Sequence, residues 1–214
     1  RAKGMADVRG GRGRDDACRN ASLWIYQVGG TMQSKYRIKG KVRVCVIGPD
    51  GNIKRSAPGP IRRFFGLPGK PMVSKRHNTV TRQGEGLIAN LLLASPSQTK
   101  ITASSGYIQL GTGWTGSSPK TNTRCNTPTG SMEALDTGYP VTTAAFGSTG
   151  DNILRYRASF EAGKLNASGI NEACLLNGNT AGAVSLAYAQ VSPAATVTSV
   201  DTLQIDWEIT FTGS

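Results

Sequence analysis

The chain has a single histidine among 214 residues, and it contains no CxxC pair. His77 stands in Lys75-Arg76-His77-Asn78, among cations and far in sequence from any cysteine, so a structural zinc site cannot be assembled around it. No apolar run approaches the 18 or so residues a membrane-spanning helix needs; the longest lies near Leu87 to Ala94. The opening residues lack the charged-then-apolar pattern of a secretory signal, so secretion by that route is not expected. Cys18, Cys45, Cys125 and Cys174 are widely spaced, and free thiols formed in a reducing cytoplasm are the expected state. The two matches to the glycosylation sequon, at Asn20 and Asn166, have no secretory context to act in. No fixed-period repeat and no GxSxG elbow occur. Nothing compels an enzyme, and no catalytic residue, cofactor or metal site is expected.

Acidic residues are scarce in the first part of the chain. Residues 1 to 87 hold 19 Lys and Arg against 5 Asp and Glu, a net +14, whereas residues 88 to 214 carry a net −2. Within the basic part, Lys35, Arg37, Lys39, Lys41 and Arg43 alternate with Tyr36, Ile38, Gly40, Val42 and Val44. Period two is the strand period, so one strand face is cationic and the other almost wholly apolar. Same-face neighbours lie about 6.5 Å apart, which makes a row on the order of 27 Å long. Such a row repels itself unless water, salt or an acidic surface faces it. It reads either as a solvated face that discourages edge-to-edge pairing or as a contact surface for an acidic protein or nucleic acid.

Residues 1 to 31 are rich in Gly, Arg and Asp and poor in apolar periodicity. A basic arm of this kind builds no core of its own and is expected to gain order only against a neighbour. The 27 Gly and 10 Pro suit a loop-rich β protein over residues 32 to 214. Asp50-Gly51 marks a hairpin turn after the first strand. Residues 56 to 75, with four prolines, are expected to be an extended loop without helix. Arg62, Arg63, Phe64 and Phe65 fall inside it, and Ile61, Phe64, Phe65 and Leu67 are too apolar to be left in solvent. They are expected to dock, on this domain or on a neighbour. One helix is expected, about 81 to 94, with Leu87, Ile88, Leu91 and Leu92 on its buried face and Pro96 as its stop.

Beyond residue 100 the chain reads as strands: 107 to 110, a weaker one at 141 to 146, 154 to 160, 183 to 191 and a closing strand. In the last, Leu203, Ile205, Trp207, Ile209 and Phe211 alternate with Gln204, Asp206, Glu208, Thr210 and Thr212, and the apolar set is expected to face the core. Several antiparallel strands with one apolar face each predict an all-β fold, a β-sandwich or jelly roll. Gly111-Thr112-Gly113-Trp114-Thr115-Gly116 matches GxGxxG but opens no helix, and without a helix N-terminus it reads as a glycine loop leaving a strand. Asp206 and Glu208 share the outward face of the closing strand, as an acid/base or metal pair or simply as solvated residues.

Four segments, in order, resemble a family of structural proteins of tailed bacteriophages. Asn78-Thr79-Val80-Thr81-Arg82-Gln83-Gly84 with Leu87-Ile88-Ala89 is similar to that family's lead into a helix. Tyr107 to Gly113 (YIQLGTG) is similar to its strand and loop, Gly169 to Asn177 (GINEACLLN) to a further segment, and Asp201 to Phe211 (DTLQIDWEITF) to its closing strand. The resemblance covers roughly residues 78 to 213. It implies a non-enzymatic β-sandwich of the virion, assembled in the host cytoplasm, and no catalytic residues. Capsid decoration or cement comes first among its roles, and a tail, collar or fibre module second. The implied partners are the major capsid protein or other virion proteins and further copies of the chain, with no membrane contact. From the basic arm comes a further alternative, a jelly-roll coat protein of a small virus that binds packaged nucleic acid.

Overall fold

A computed structural model describes residues 37 to 116 and 119 to 213. Arm residues 1 to 31 and Lys35, the first cation of the row, lie outside the described residues.

The elements in chain order are β1 (Arg37–Ile47), α1 (Pro60–Phe64), β2 (Val73–Val80), α2 (Arg82–Leu91), β3 (Tyr107–Gly111), a 3-10 turn (Pro119–Thr121), β4 (Pro128–Ala134), β5 (Val141–Thr142), β6 (Ile153–Phe160), β7 (Ala167–Leu176), β8 (Ser185–Val197) and β9 (Thr202–Thr212). The nine strands form one antiparallel sheet in the order β4-β3-β7-β8-β2-β1-β9-β6-β5. The all-β antiparallel class read from the sequence is therefore the class of the fold.

The sheet curls until its ends approach. Just past β4, the Asp136 amide donates to the Arg157 carbonyl of β6 at 2.8 Å, and its carboxylate accepts from the Ser159 amide at 2.9 Å. The concave faces of both halves then share one core. Val42, Val44 and Val46 of β1 pack in it with Ile108 and Leu110 of β3, Ile170 and Leu175 of β7, and Phe160 of β6. From β9, Leu203, Ile205, Trp207 and Ile209 are fully buried, as the alternation predicts. Phe211 departs from that expectation: it lies at the strand end, only half-buried against the core.

Gly40, the one gap in the apolar face of β1, sits opposite Asn78 of β2. A Cβ there would fall 1.6 Å from Asn78 Oδ1, so the asparagine side chain fills the place of the missing one.

The helical content exceeds the single predicted helix. α2 is shorter than the 81 to 94 expected. Thr81 caps it by accepting from the Gly84 amide at 2.9 Å, and Leu87 plugs the core with Ile88 and Leu91 beside it. Leu92, the C-cap residue, is 83% exposed rather than on the buried face. In the stretch 56 to 75, Pro60 at the first helical position starts the five-residue α1, so that stretch is not wholly extended. Its last residues begin β2. Of the strand expected at 141 to 146, only Val141–Thr142 pairs, and Phe146 is exposed.

Candidate functional site: a basic groove on the convex face

The outward side chains of β2, β1, β9 and β6 build one surface. Register places Lys75 and His77 of β2 opposite Arg43 and Lys41 of β1. On the other side of β1, Asp206 and Glu208 of β9 face the same two residues. Beyond β9 come Arg157 and Arg155 of β6. An acidic strip thus runs between two cationic flanks, and a groove of about 500 Å³ opens across it. Six cations (Lys41, Arg43, Lys75, Arg76, Arg155, Arg157) line it against two carboxylates, with Tyr139 also in the lining.

Part of the counter-charge for the cationic row therefore lies within the chain. Arg157 Nε donates to Asp206 Oδ1 at 2.6 Å, with its guanidinium 5.1 Å from the centroid of the Tyr139 ring. Partial burial works against the Arg157 charge, and the Asp206 hydrogen bond more than offsets it, so its affinity for the proton is raised. Glu208 lies 3.5 Å from Arg155 and 4.0 Å from Lys41. These pairs engage both carboxylates. The groove shows no third acid to complete a metal or acid/base constellation, and no group of three His, Cys, Asp or Glu among the described residues could hold a metal ion.

The neutralisation is lopsided. Arg37, Lys39 and Arg43 of the row, with Lys75 and Arg76 of β2, make no ion pair among the described residues. Arg43 and Lys75 are direct cross-strand neighbours of like sign, an arrangement that costs stability. Arg76 donates to the Ser192 hydroxyl at 2.8 Å. The β1–β2 flank keeps its positive charge for whatever lies outside.

A second surface lies at the end of a ribbon. The Lys54 and Ser56 amides bond to Val46 and Lys70 carbonyls, and the Met72 amide bonds to the Lys54 carbonyl, so the chain leaves the sheet as a paired stalk. α1 sits at its tip. Ile61, Phe64, Phe65 and Leu67 were expected to dock, and they do not dock on this domain: Ile61 is 75%, Phe64 84% and Phe65 67% exposed.

The GxGxxG loop has a structural use. Glu172 of β7 is fully buried, and its carboxylate accepts from the backbone amides of Gly113 (3.0 Å), Thr127 (2.9 Å) and Asn126 (3.1 Å) and from the Tyr188 hydroxyl. A Cβ on Gly111 would stand 2.3 Å from Glu172 Oε1, so glycine is needed for the loop to close on the carboxylate. Periodicity could not find this role, because the acid and its backbone donors are separated by about 45 to 60 residues.

Cys45, Cys125 and Cys174 are buried free thiols. Burial pushes the Cys45 thiol up, and burial with the neighbouring Cys174 pushes Cys125 up, away from the thiolate a nucleophile needs. No helix among the described residues is long and apolar enough to cross a membrane.

The fold and the site define a class, an all-β antiparallel protein with a net-basic convex groove. Comparison with family models, curated proteins and solved structures finds no match.

Proposed function

We propose that the protein is a non-enzymatic structural component of a bacteriophage virion, a decoration or cement protein that docks its convex face on an acidic shell. The observation that carries the reading is the uncompensated β1–β2 flank, where Arg37, Lys39, Arg43 and Lys75 make no ion pair among the described residues. A docking face made of many exposed charges draws a partner of opposite sign, each pair contributing only about 0.2 to 1 kcal/mol. The four segments that resemble phage structural proteins support the virion as the setting. They lie in the end of β2 with α2, in β3, in β7 and in β9; β3, β7 and α2 belong to the framework behind the face, and β9 carries its acidic strip.

The test is co-sedimentation of the purified chain with emptied heads of the phage that encodes it. Binding is expected at about 0.05 M salt and should weaken strongly by about 0.5 M, because exposed pairs are screened. Reversing three flank cations together, Lys39→Glu, Arg43→Glu and Lys75→Glu, should reduce binding at low salt at least tenfold while the domain stays folded. Binding to tails but not heads would move the protein to the tail. Tight, steeply salt-dependent binding to single-stranded nucleic acid with no binding to either particle would overturn the reading in favour of a nucleic-acid coat.

A further inference from the structure

The ribbon tip offers chemistry that the groove lacks. Ile61, Phe64 and Phe65 fall at i, i+3 and i+4, which puts them on one side of the single helical turn. All three are largely exposed, and Phe64 and Phe65 meet edge to face at 5.2 Å. The tip is nevertheless built, not slack. Arg62 Nε donates to the Pro68 carbonyl at 2.8 Å, Arg55 to the Gly69 carbonyl at 3.0 Å, and the Leu67 amide to the Arg62 carbonyl at 2.7 Å. Gly69 lies so close to the stalk that a Cβ would stand 1.5 Å from the Ser56 carbonyl oxygen. Two arginines and a glycine are thus committed to holding three apolar side chains out in water.

We infer that this tip is a preorganised anchor that enters an apolar groove, rimmed by carboxylates, on a neighbouring virion protein. The inference rests on the virion reading above and adds a second contact of different chemistry. Three arguments select this occupant. Anchors at i, i+3 and i+4 are the pattern by which a helix lies in a protein groove. The internal bracing removes the ordering cost of a specific pocket, which a fluid lipid surface does not require. Charge sets the rim: between Asp50 and Glu85 the chain has eight Lys and Arg and no acid, so the partner's groove must supply carboxylates. The same excess makes two tips repel, which disfavours a second copy as the occupant.

The two contacts are separable by salt. Apolar burial persists where charge pairs are screened, so the wild-type chain should retain measurable binding to emptied heads at about 0.5 M salt. Phe64→Ala with Phe65→Ala should abolish that remainder and lower binding at low salt at least tenfold. Because both residues are exposed, circular dichroism and melting temperature should not change. Arg62→Ala, which unlocks the tip but leaves the aromatics, should weaken the salt-resistant binding in part. If the double variant binds heads as the wild type does at both salts, the anchor inference falls and the docking face stands. If neither chain binds any virion particle, the virion reading itself falls. Phe-dependent binding to phosphatidylglycerol vesicles would overturn the inference in favour of a lipid surface. Phe-dependent self-association in sedimentation velocity would overturn it in favour of a second copy.

Discussion

Single residues hold this molecule, one where the alternation reveals it and one where it does not. Trp207 is completely buried at the centre of β9, between Val42 of β1 and Tyr156 of β6. Trp207→Ala should cost about 3 to 5 kcal/mol in urea unfolding, as large core truncations do. Glu172 is buried for another reason: its carboxylate is the acceptor on which three backbone amides and the Tyr188 hydroxyl converge. Replacing one oxygen by an NH₂ group sets a donor against donors. Glu172→Gln should therefore lose about 1 to 3 kcal/mol although its shape is unchanged. A thermal melt indistinguishable from wild type would show that the carboxylate is not what fastens the loop.

At the scale of elements, two glycines in α2 make opposite predictions. A Cβ on Gly84 would stand 2.1 Å from the Leu186 carbonyl oxygen of β8, whereas a Cβ on Gly86 meets nothing within 4 Å. Alanine is the better helix former by about 1 kcal/mol, so Gly86→Ala should stabilise by up to that amount. Gly84→Ala should destabilise by about 1 to 3 kcal/mol, because the helix must lift off β8. The stalk and the β8–β9 turn are tied by Lys54 and Asp201, 2.5 Å apart. Burial opposes ionisation of Asp201, but the hydrogen bonds from Lys54 and from the Thr198 hydroxyl and amide outweigh it and hold the carboxyl below its usual range. A depressed folded-state value adds stability that is fully present above the unfolded value of about 4. That stability drains away as pH falls through the folded value. Asp201→Asn should therefore be less stable than wild type near neutral pH, and the gap should narrow as pH is lowered from about 5 to about 2 in denaturant titrations.

For the whole molecule, the charge asymmetry becomes spatial. β1 and β2 come from the basic part of the chain, β9 and β6 from the mildly acidic remainder, and the sheet sets them side by side. The acids of β9 neutralise part of the row and the arginines of β6 take the rest of their charge, which leaves the excess on β1–β2. Docking should accordingly follow the flank and not the centre. Arg43→Glu with Lys75→Glu should weaken shell binding more than Arg155→Glu with Lys41→Glu, measured by co-sedimentation at about 0.05 M salt. Equal losses would mean that the groove centre, not the flank, carries the contact.

Local alternation by itself determined the β class, the cationic row and the burial of Leu203, Ile205, Trp207 and Ile209, because side chains on a strand alternate with period two wherever the strand lies. Phe211 escaped that rule only because the strand end runs past the core. The helix after Thr81 was legible from its apolar face, while its end was not, since Leu92 is as apolar as Leu91. The sequence also marked Phe64 and Phe65 as out of place in a loop, without showing whether they face this domain or the outside. Only the tertiary structure decided that β1 pairs with β9, some 165 residues away, and so brought Asp206 and Glu208 beside the cationic row. It likewise decided that Gly111 and Gly113 close on Glu172 instead of on a phosphate. Pairing partners in a sheet are chosen by the packing of the whole core, and no spacing along the chain records that choice.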